Sequence, residues 1–162
     1  MNELKIDRRL VLGGAVLTGV ALMLPRQRAS AATLFEVRRS AAEWKKLLGP
    51  QRYEILREAG TERPYTSPLN KERRKGFFVC AGCSLPLFAS STKFESGTGW
   101  PSFYRALGKA IVTRSDGALG MRRTEVLCRR CGGHLGHVFD DGPRPTGLRY
   151  CMNGLALKFR AA

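Results

Sequence analysis

Residues 128–153 read Cys128-Arg-Arg-Cys-Gly-Gly-His-Leu-Gly-His-Val-Phe-Asp-Asp-Gly-Pro-Arg-Pro-Thr-Gly-Leu-Arg-Tyr-Cys-Met-Asn153. This stretch holds three of the five cysteines and both histidines, so nearly every side chain able to bind a soft metal or act as a nucleophile near neutral pH lies inside it. It opens on a Cys-x-x-Cys knuckle, Cys128 and Cys131, and a matching pair, Cys80 and Cys83, stands upstream. Two such pairs suggest one metal. The 44 residues between them, 84 to 127, exceed the usual zinc-ribbon gap, so a segment of sheet has to sit between the knuckles.

The pattern on either side of the knuckles is β. Phe77 to Cys80, Leu87 to Ala89, Phe103 to Tyr104, Ala110 to Thr113, Thr124 to Cys128, His137 to Phe139, Arg149 to Met152 and Leu155 to Phe159 are short apolar or alternating runs broken by Gly, Pro, Asp or Ser. They predict an antiparallel, mainly β body. Upstream, Ser40-Ala41-Ala42-Glu43 is a capping box, followed by Trp44, Leu47 and Leu48 at helical spacing and a stop at Gly49. Pro50 suits the first turn of a second short helix carrying Tyr53, Ile55 and Leu56, which Gly60 is expected to end. Residues 61–75 are polar, contain two prolines and show no periodicity, which predicts an ordered loop wrapped over the domain.

The first thirty residues are a different kind of sequence. Arg8-Arg9 precede an apolar run from Leu10 to Leu24, and Ala29-Ser30-Ala31 follows as a small-residue cleavage pattern. This is the layout of a signal peptide over residues 1–31, ahead of one domain over 32–162. The paired arginines, together with Arg26 and Arg28, favour the twin-arginine route and an exported, periplasmic protein. An uncleaved membrane anchor is the alternative, weakened because the 15 apolar residues fall short of the ~20 that span a bilayer.

The formal charge of +15 favours anionic surroundings. Without residues 1–31, which carry five basic and two acidic residues, 23 basic stand against 11 acidic and the charge is still +12. In an exported protein that charge points to envelope surfaces or a solvated face. No nucleic-acid partner is expected.

Four cysteines in two knuckles are the makings of a closed tetrahedral thiolate site, and one structural zinc held by Cys80, Cys83, Cys128 and Cys131 is the reading they favour. Two disulfides and an iron–sulfur centre are the alternatives. Disulfides within each pair would leave the symmetry of the two knuckles unexplained. Cys151 is then the cysteine left over. Arg149 and Asn153 share its face of a strand, where a cation lowers a thiol pKa, and the His-Leu-Gly-His run supplies imidazoles as proton donors. Cysteine with histidine and a polar orienter is a nucleophile with its acid. A buried, inert thiol is the bland alternative.

Three further motifs carry a resemblance. Glu95-Ser-Gly-Thr-Gly-Trp-Pro-Ser-Phe103, the Cys-Gly-Gly-His-Leu-Gly-His-Val-Phe-Asp-Asp-Gly-Pro143 run and Arg149-Tyr-Cys-Met-Asn153 resemble, in this order and with both knuckles in place, the B-type peptide methionine sulfoxide reductases over about residues 36 to 160. The resemblance implies two antiparallel sheets with short N-terminal helices, a structural zinc and reduction of the R epimer of methionine sulfoxide in oxidised proteins or peptides. It implies that Cys151 attacks the sulfoxide and becomes a sulfenic acid, while His134 or His137 protonates the departing oxygen. Asp141 would orient a histidine, and Arg149 and Asn153 would complete the polar shell. Trp100 would receive the substrate methyl, with Phe103 and Glu125 also at the substrate.

One position departs from the family. Many members carry a resolving cysteine where this chain has Thr98, so an external thiol, thioredoxin-like or a small dithiol, is expected to recycle Cys151. A monomer is expected. The rival from another class is a basic zinc-ribbon binding module. It accounts for the metal and the charge but not for Arg-Tyr-Cys-Met-Asn or the two histidines, and the loops lack aromatic residues interleaved with lysines.

Overall fold

A computed structural model describes residues 35–117 and 122–162. The signal peptide expected over residues 1–31 lies outside them. Ser40 caps the first helix as its sequence predicts, its hydroxyl accepting from Glu43 N at 3.3 Å while the Glu43 carboxylate takes Ser40 N at 2.8 Å. The helix α1 runs Ala41–Glu58 with a break at Gly49, whose φ of 69° and ψ of 172° are not helical. Two short helices therefore meet there, with Pro50 opening the second. The left-handed residue that ends it is Ala59, at φ 54°, one position before the expected glycine, while Gly60 N reaches back to Glu54 O. Trp44, Leu48, Ile55 and Leu56 form the buried face of α1, set against β7 and the turn at 154–156.

Among the described residues nine strands follow: β1 (Gly76–Cys80), β2 (Pro86–Ala89), β3 (Lys93–Phe94), β4 (Ser102–Phe103), β5 (Ile111–Asp116), β6 (Arg123–Cys128), β7 (His134–Phe139), β8 (Arg149–Met152) and β9 (Leu157–Ala161). They make two antiparallel sheets, one in the order β2-β1-β9 and one in the order β3-β4-β8-β7-β6-β5. This is the mainly β, two-sheet architecture expected. Strand β3 escaped sequence reading because two residues carry no period, and the last run splits into a 3₁₀ turn at Gly154–Ala156 before β9. The core lies between the sheets, where Phe103 stacks on Phe88 at 4.4 Å and meets Phe78 edge-on at 4.8 Å. Among the described residues no helix is long and apolar enough to cross a membrane.

The loop at 61–75 is ordered, as expected, and its contacts explain why. Glu62 is buried, and its carboxylate takes the backbone N–H groups of Gly154 and Leu155. Its own N–H donates to Asn153 Oδ1 at 3.0 Å, and its carbonyl accepts Trp100 Nε1–H at 3.1 Å. One residue of a polar loop thus ties together two residues of the site described below.

Candidate active site and metal centre

The two knuckles repeat each other bond for bond. In the first, Ser84 N donates to Cys80 O at 2.8 Å and Cys80 N to Leu85 O at 2.9 Å; in the second, Gly132 N donates to Cys128 O at 2.8 Å and Cys128 N to Gly133 O at 2.9 Å. Ser84 and Gly132, at equivalent places, share a left-handed backbone with φ of 60° and 67°. All four thiols are free and their sulfurs lie within 4.8 Å of one another, with Cys80 to Cys131 at 3.7 Å and Cys83 to Cys128 at 3.5 Å. A tetrahedron with ~2.3 Å metal–sulfur bonds sets its sulfurs about 3.8 Å apart. The geometry fits a structural zinc held by four thiolates. No disulfide joins any of these cysteines.

The catalytic residues expected from the sequence come together on the six-stranded sheet. Cross-strand pairing sets Ser102, Cys151, His137, Glu125 and Arg114 in one row across β4, β8, β7, β6 and β5. Directly paired residues point to the same face, so this row is one surface. His134 joins it through a defect. Residues three apart on a regular strand face opposite ways, but Leu127 pairs His134 while Val126 pairs Gly136, leaving Leu135 as an extra residue. Leu135 turns into the core and both imidazoles stay on one face, 5.5 Å apart. Gly136 makes this possible, because a Cβ there would lie 2.2 Å from the Cys151 carbonyl oxygen.

A hollow of about 170 Å³ opens over this surface, lined by Trp100, His137, Phe139, Cys151 and Asn153 together with Thr61, Arg123 and Gly136. Its volume suits a single side chain. A larger hollow of about 490 Å³, between Arg52, Ser67, Leu155 and Lys158, contains neither cysteine nor histidine, so the chemistry belongs to the smaller one. Cys151 lies beside a chain of hydroxyls, with Thr98 Oγ1 3.8 Å from its sulfur, Ser96 Oγ 2.8 Å from Thr98 Oγ1, and Ser102 Oγ 2.7 Å from Ser96 Oγ.

Burial pushes the Cys151 thiol up, outweighing Thr98, Arg149 and Ser102, which each favour the thiolate. Arg149 thus pulls the pKa down, as expected, and burial sets the net direction. The Arg149 guanidinium is already committed, gripping both oxygens of Asp141 at 2.7 and 2.8 Å and lying 4.4 Å over the Phe139 ring. Asp141, expected to orient a histidine, holds this arginine instead, and the arginine draws its carboxyl below the ordinary range.

Each histidine has a different carboxylate. His134 Nδ1 is 2.7 Å from Glu125 Oε1, and burial holds its pKa down against that carboxylate. Its Nε2 is buried without a partner among the described residues. His137 Nε2 is 2.8 Å from Asp116 Oδ2. Of the two, His137 alone lines the hollow. Asp116 was not legible beforehand: it ends a polar strand, and only the pairing of β5 with β6 and β6 with β7 brings it within reach.

Two residues expected at the substrate are placed elsewhere. Phe103 is fully buried in the aromatic core, since its strand turns that side chain toward the other sheet. Glu125 is buried with its carboxylate between His134 and Arg114 and does not line the hollow. Asn153 does line it, but its amide is held at both ends, Oδ1 by Glu62 N and Nδ2 by the Leu135 carbonyl at 3.3 Å.

The model of the SelR domain matches residues 48–161. The chain belongs to the MsrB family. It is 56% identical over 127 residues to the peptide methionine sulfoxide reductase MsrB of Leptospira interrogans, covering 78% of this chain and 97% of the relative. The proteins of the same name from Methanosarcina barkeri and Agrobacterium fabrum are each 53% identical over 125 residues, 76% of this chain, and those stretches cover 88% and 93% of the relatives. The family's matched region includes both knuckles, the two histidines and Cys151.

Proposed function

We propose that the chain reduces the R epimer of methionine sulfoxide in oxidised peptides and proteins, with Cys151 as nucleophile and His137 as proton carrier. The meeting of Trp100, His137 and Cys151 in one side-chain-sized hollow supports this reading. Membership of the MsrB family makes the activity a methionine sulfoxide reduction, an oxidoreductase reaction that requires an oxidised substrate and a reductant. The choice of the R epimer rests on that family.

The balance of the reaction suits a buried thiol. Reduction takes a proton from sulfur and oxygen from the sulfoxide, giving methionine and a sulfenic acid on Cys151. One proton leaves Cys151 and one is needed on the moving oxygen, so an imidazole beside the sulfur carries it between them. A thiol held neutral by burial keeps that proton until the sulfoxide arrives. Trp100, fixed through Nε1 to the Glu62 carbonyl, offers its ring to the methyl group. Arg149 stabilises the thiolate as it forms, while Glu62 and Asn153 hold the end of β8 and the indole in place.

Recycling is assigned to an external thiol, thioredoxin-like or a small dithiol. The other four cysteines form the metal cluster, and the neighbour of Cys151 is Thr98. One external thiol condenses with the sulfenic acid and releases water; a second displaces Cys151 from the mixed disulfide. Zinc supplies no step and ties the two knuckles. We infer further that the protein acts as a monomer without nucleic acid. Residues 1–31 direct its export by the twin-arginine route, supported by Arg8-Arg9 and the small-residue cleavage pattern. Replacing both arginines by lysine should then retain precursor in the cytoplasm, and normal export of that variant would remove the assignment. For the reaction, single-turnover assays on both epimers are the test. Cys151→Ser should lose reduction of the R epimer with zinc retained, and full-rate turnover by that variant would place the nucleophile elsewhere.

A further inference from the structure

Two acidic residues stand against the two histidines of this chain, and only one of the imidazoles lines the hollow where Cys151 is found. Asp116 ends β5 and His137 lies on β7, with β6 between them. Two strand spacings are about 9.6 Å, a gap that a carboxylate and an extended imidazole close only if both point to the same face. They do, with Asp116 Oδ2 2.8 Å from His137 Nε2. The same oxygen accepts Arg123 Nη2–H at 2.8 Å, and Arg123 is the residue paired with Asp116 across β5 and β6. Asp116 and Arg123 are both about three-quarters or more buried, so the contact is only partly screened by solvent.

We propose that Asp116 is a positioning residue for the reduction: it holds His137 through Nε2–H, leaving Nδ1 as the nitrogen that exchanges protons with sulfur and oxygen, and Arg123 holds Asp116. This rests on the assignment of His137 as proton carrier.

The chemistry follows from the donor set. A carboxylate accepts but does not donate, so it selects the neutral imidazole that carries hydrogen on Nε2 and keeps a lone pair on Nδ1. When Nδ1 takes the thiol proton the ring becomes an imidazolium, and the adjacent carboxylate stabilises that charge. When Nδ1 delivers the proton to oxygen, the ring returns to the tautomer Asp116 already holds, and no ring flip is needed between steps. Arg123 donates to the same oxygen, so the carboxylate is fixed by a second partner besides the ring. His134 is held the other way round, through Nδ1 to Glu125. The two dyads therefore fix opposite tautomers.

That contrast can be read without activity. The chain has two histidines, so nitrogen-15 spectra of the full-length, zinc-loaded protein contain two imidazoles. In the wild type near pH 8, His137 should show the Nε2–H form and His134 the Nδ1–H form, assigned with His134→Gln. Asp116→Ala should leave His134 unchanged and turn His137 into a mixture of tautomers. In single-turnover reduction of an oxidised peptide, the same variant should slow the step at least about tenfold, with KM for the peptide within about twofold, because Trp100 and Cys151 are untouched. An Nδ1–H tautomer on His137 in the wild type would overturn the proposal, as would Asp116→Ala turning over at the wild-type rate. Should Cys151→Ser prove active, the assigned chemistry fails while the tautomer result still reports on Asp116.

Discussion

Cys151 lines the hollow beside Trp100 and His137 as a thiol that burial holds above its ordinary value of 9.0, against the pull of Thr98, Arg149 and Ser102. Alkylation of that thiol in the free protein should therefore rise with pH and pass its midpoint above 9, followed by mass spectrometry of the Cys151 peptide; a midpoint below 8 would show that Arg149 dominates. The same shift has a sign for stability. A thiol that binds its proton more tightly folded than unfolded contributes fully below the unfolded value and loses that contribution as pH climbs through the folded one. Cys151→Ser should accordingly flatten part of the alkaline loss of stability. Thr98 gives a second test at this scale. Its Oγ1 lies 3.8 Å from the Cys151 sulfur, so a sulfur in its place is a small rotation from disulfide distance. Thr98→Cys should form an internal disulfide after one turnover, seen by mass spectrometry with zinc retained, whereas the wild type should give a sulfenic acid open to a dimedone-type probe. A stoichiometric disulfide from Cys151 to any zinc-site cysteine in the wild type would sink this reading.

At the scale of elements, β7 decides the site. His-Leu-Gly-His can present both imidazoles on one face only because Leu135 is the extra residue of a bulge and Gly136, at φ 149°, lets β8 come close. Gly136→Ala would set a Cβ 2.2 Å from the Cys151 carbonyl and 3.0 Å from Met152 Cα, so β7 and β8 must part. We expect a loss of about 1–3 kcal/mol in chemical denaturation, with reduction falling more steeply than stability because His137 and Cys151 are directly paired across that gap. Wild-type activity in this variant would show that the pairing does not set the chemistry. The same strand marks the limit of reading from sequence. Cys151, both histidines, the four zinc-site cysteines and eight of the strand cores were legible because each has a chemical type or a local period that survives without tertiary context. Asp116 and Glu62 were not. Asp116 depends on the register of three strands, and Glu62 sits in a loop whose polar composition gives no sign that its carboxylate will be buried against Gly154 and Leu155. Phe103 and Glu125 were placed by motif alone, and a motif fixes position along the chain without fixing which face of a strand turns to the substrate.

At the scale of the whole molecule, the metal site joins the two sheets. Cys80 is the last residue of β1, in the three-stranded sheet, and Cys128 is the last residue of β6, in the six-stranded one. Four sulfurs from the two knuckles converge within 4.8 Å, so a bound zinc ties the ends of strands that share no backbone ladder. A second link is the aromatic core, where Phe78 and Phe88 meet Phe103. That contact is apolar and non-directional, while the metal fixes distance and angle. Structural zinc in small peptides contributes an apparent 10–16 kcal/mol, as large as the whole net stability of a typical domain. Cys128 is fully buried, and a serine in its place offers a weak ligand and leaves three thiolates around an undersatisfied metal. Cys128→Ser should thus lose zinc and soluble protein together, and chelation of the wild type should lower its unfolding temperature and broaden the transition. His134 begins β7 only three residues after Cys131, so residual folded apoprotein should also turn over more slowly. Elemental analysis set beside thermal unfolding is the measurement. A soluble, zinc-free Cys128→Ser protein that unfolds at the wild-type temperature would show that the sheets hold together without the metal.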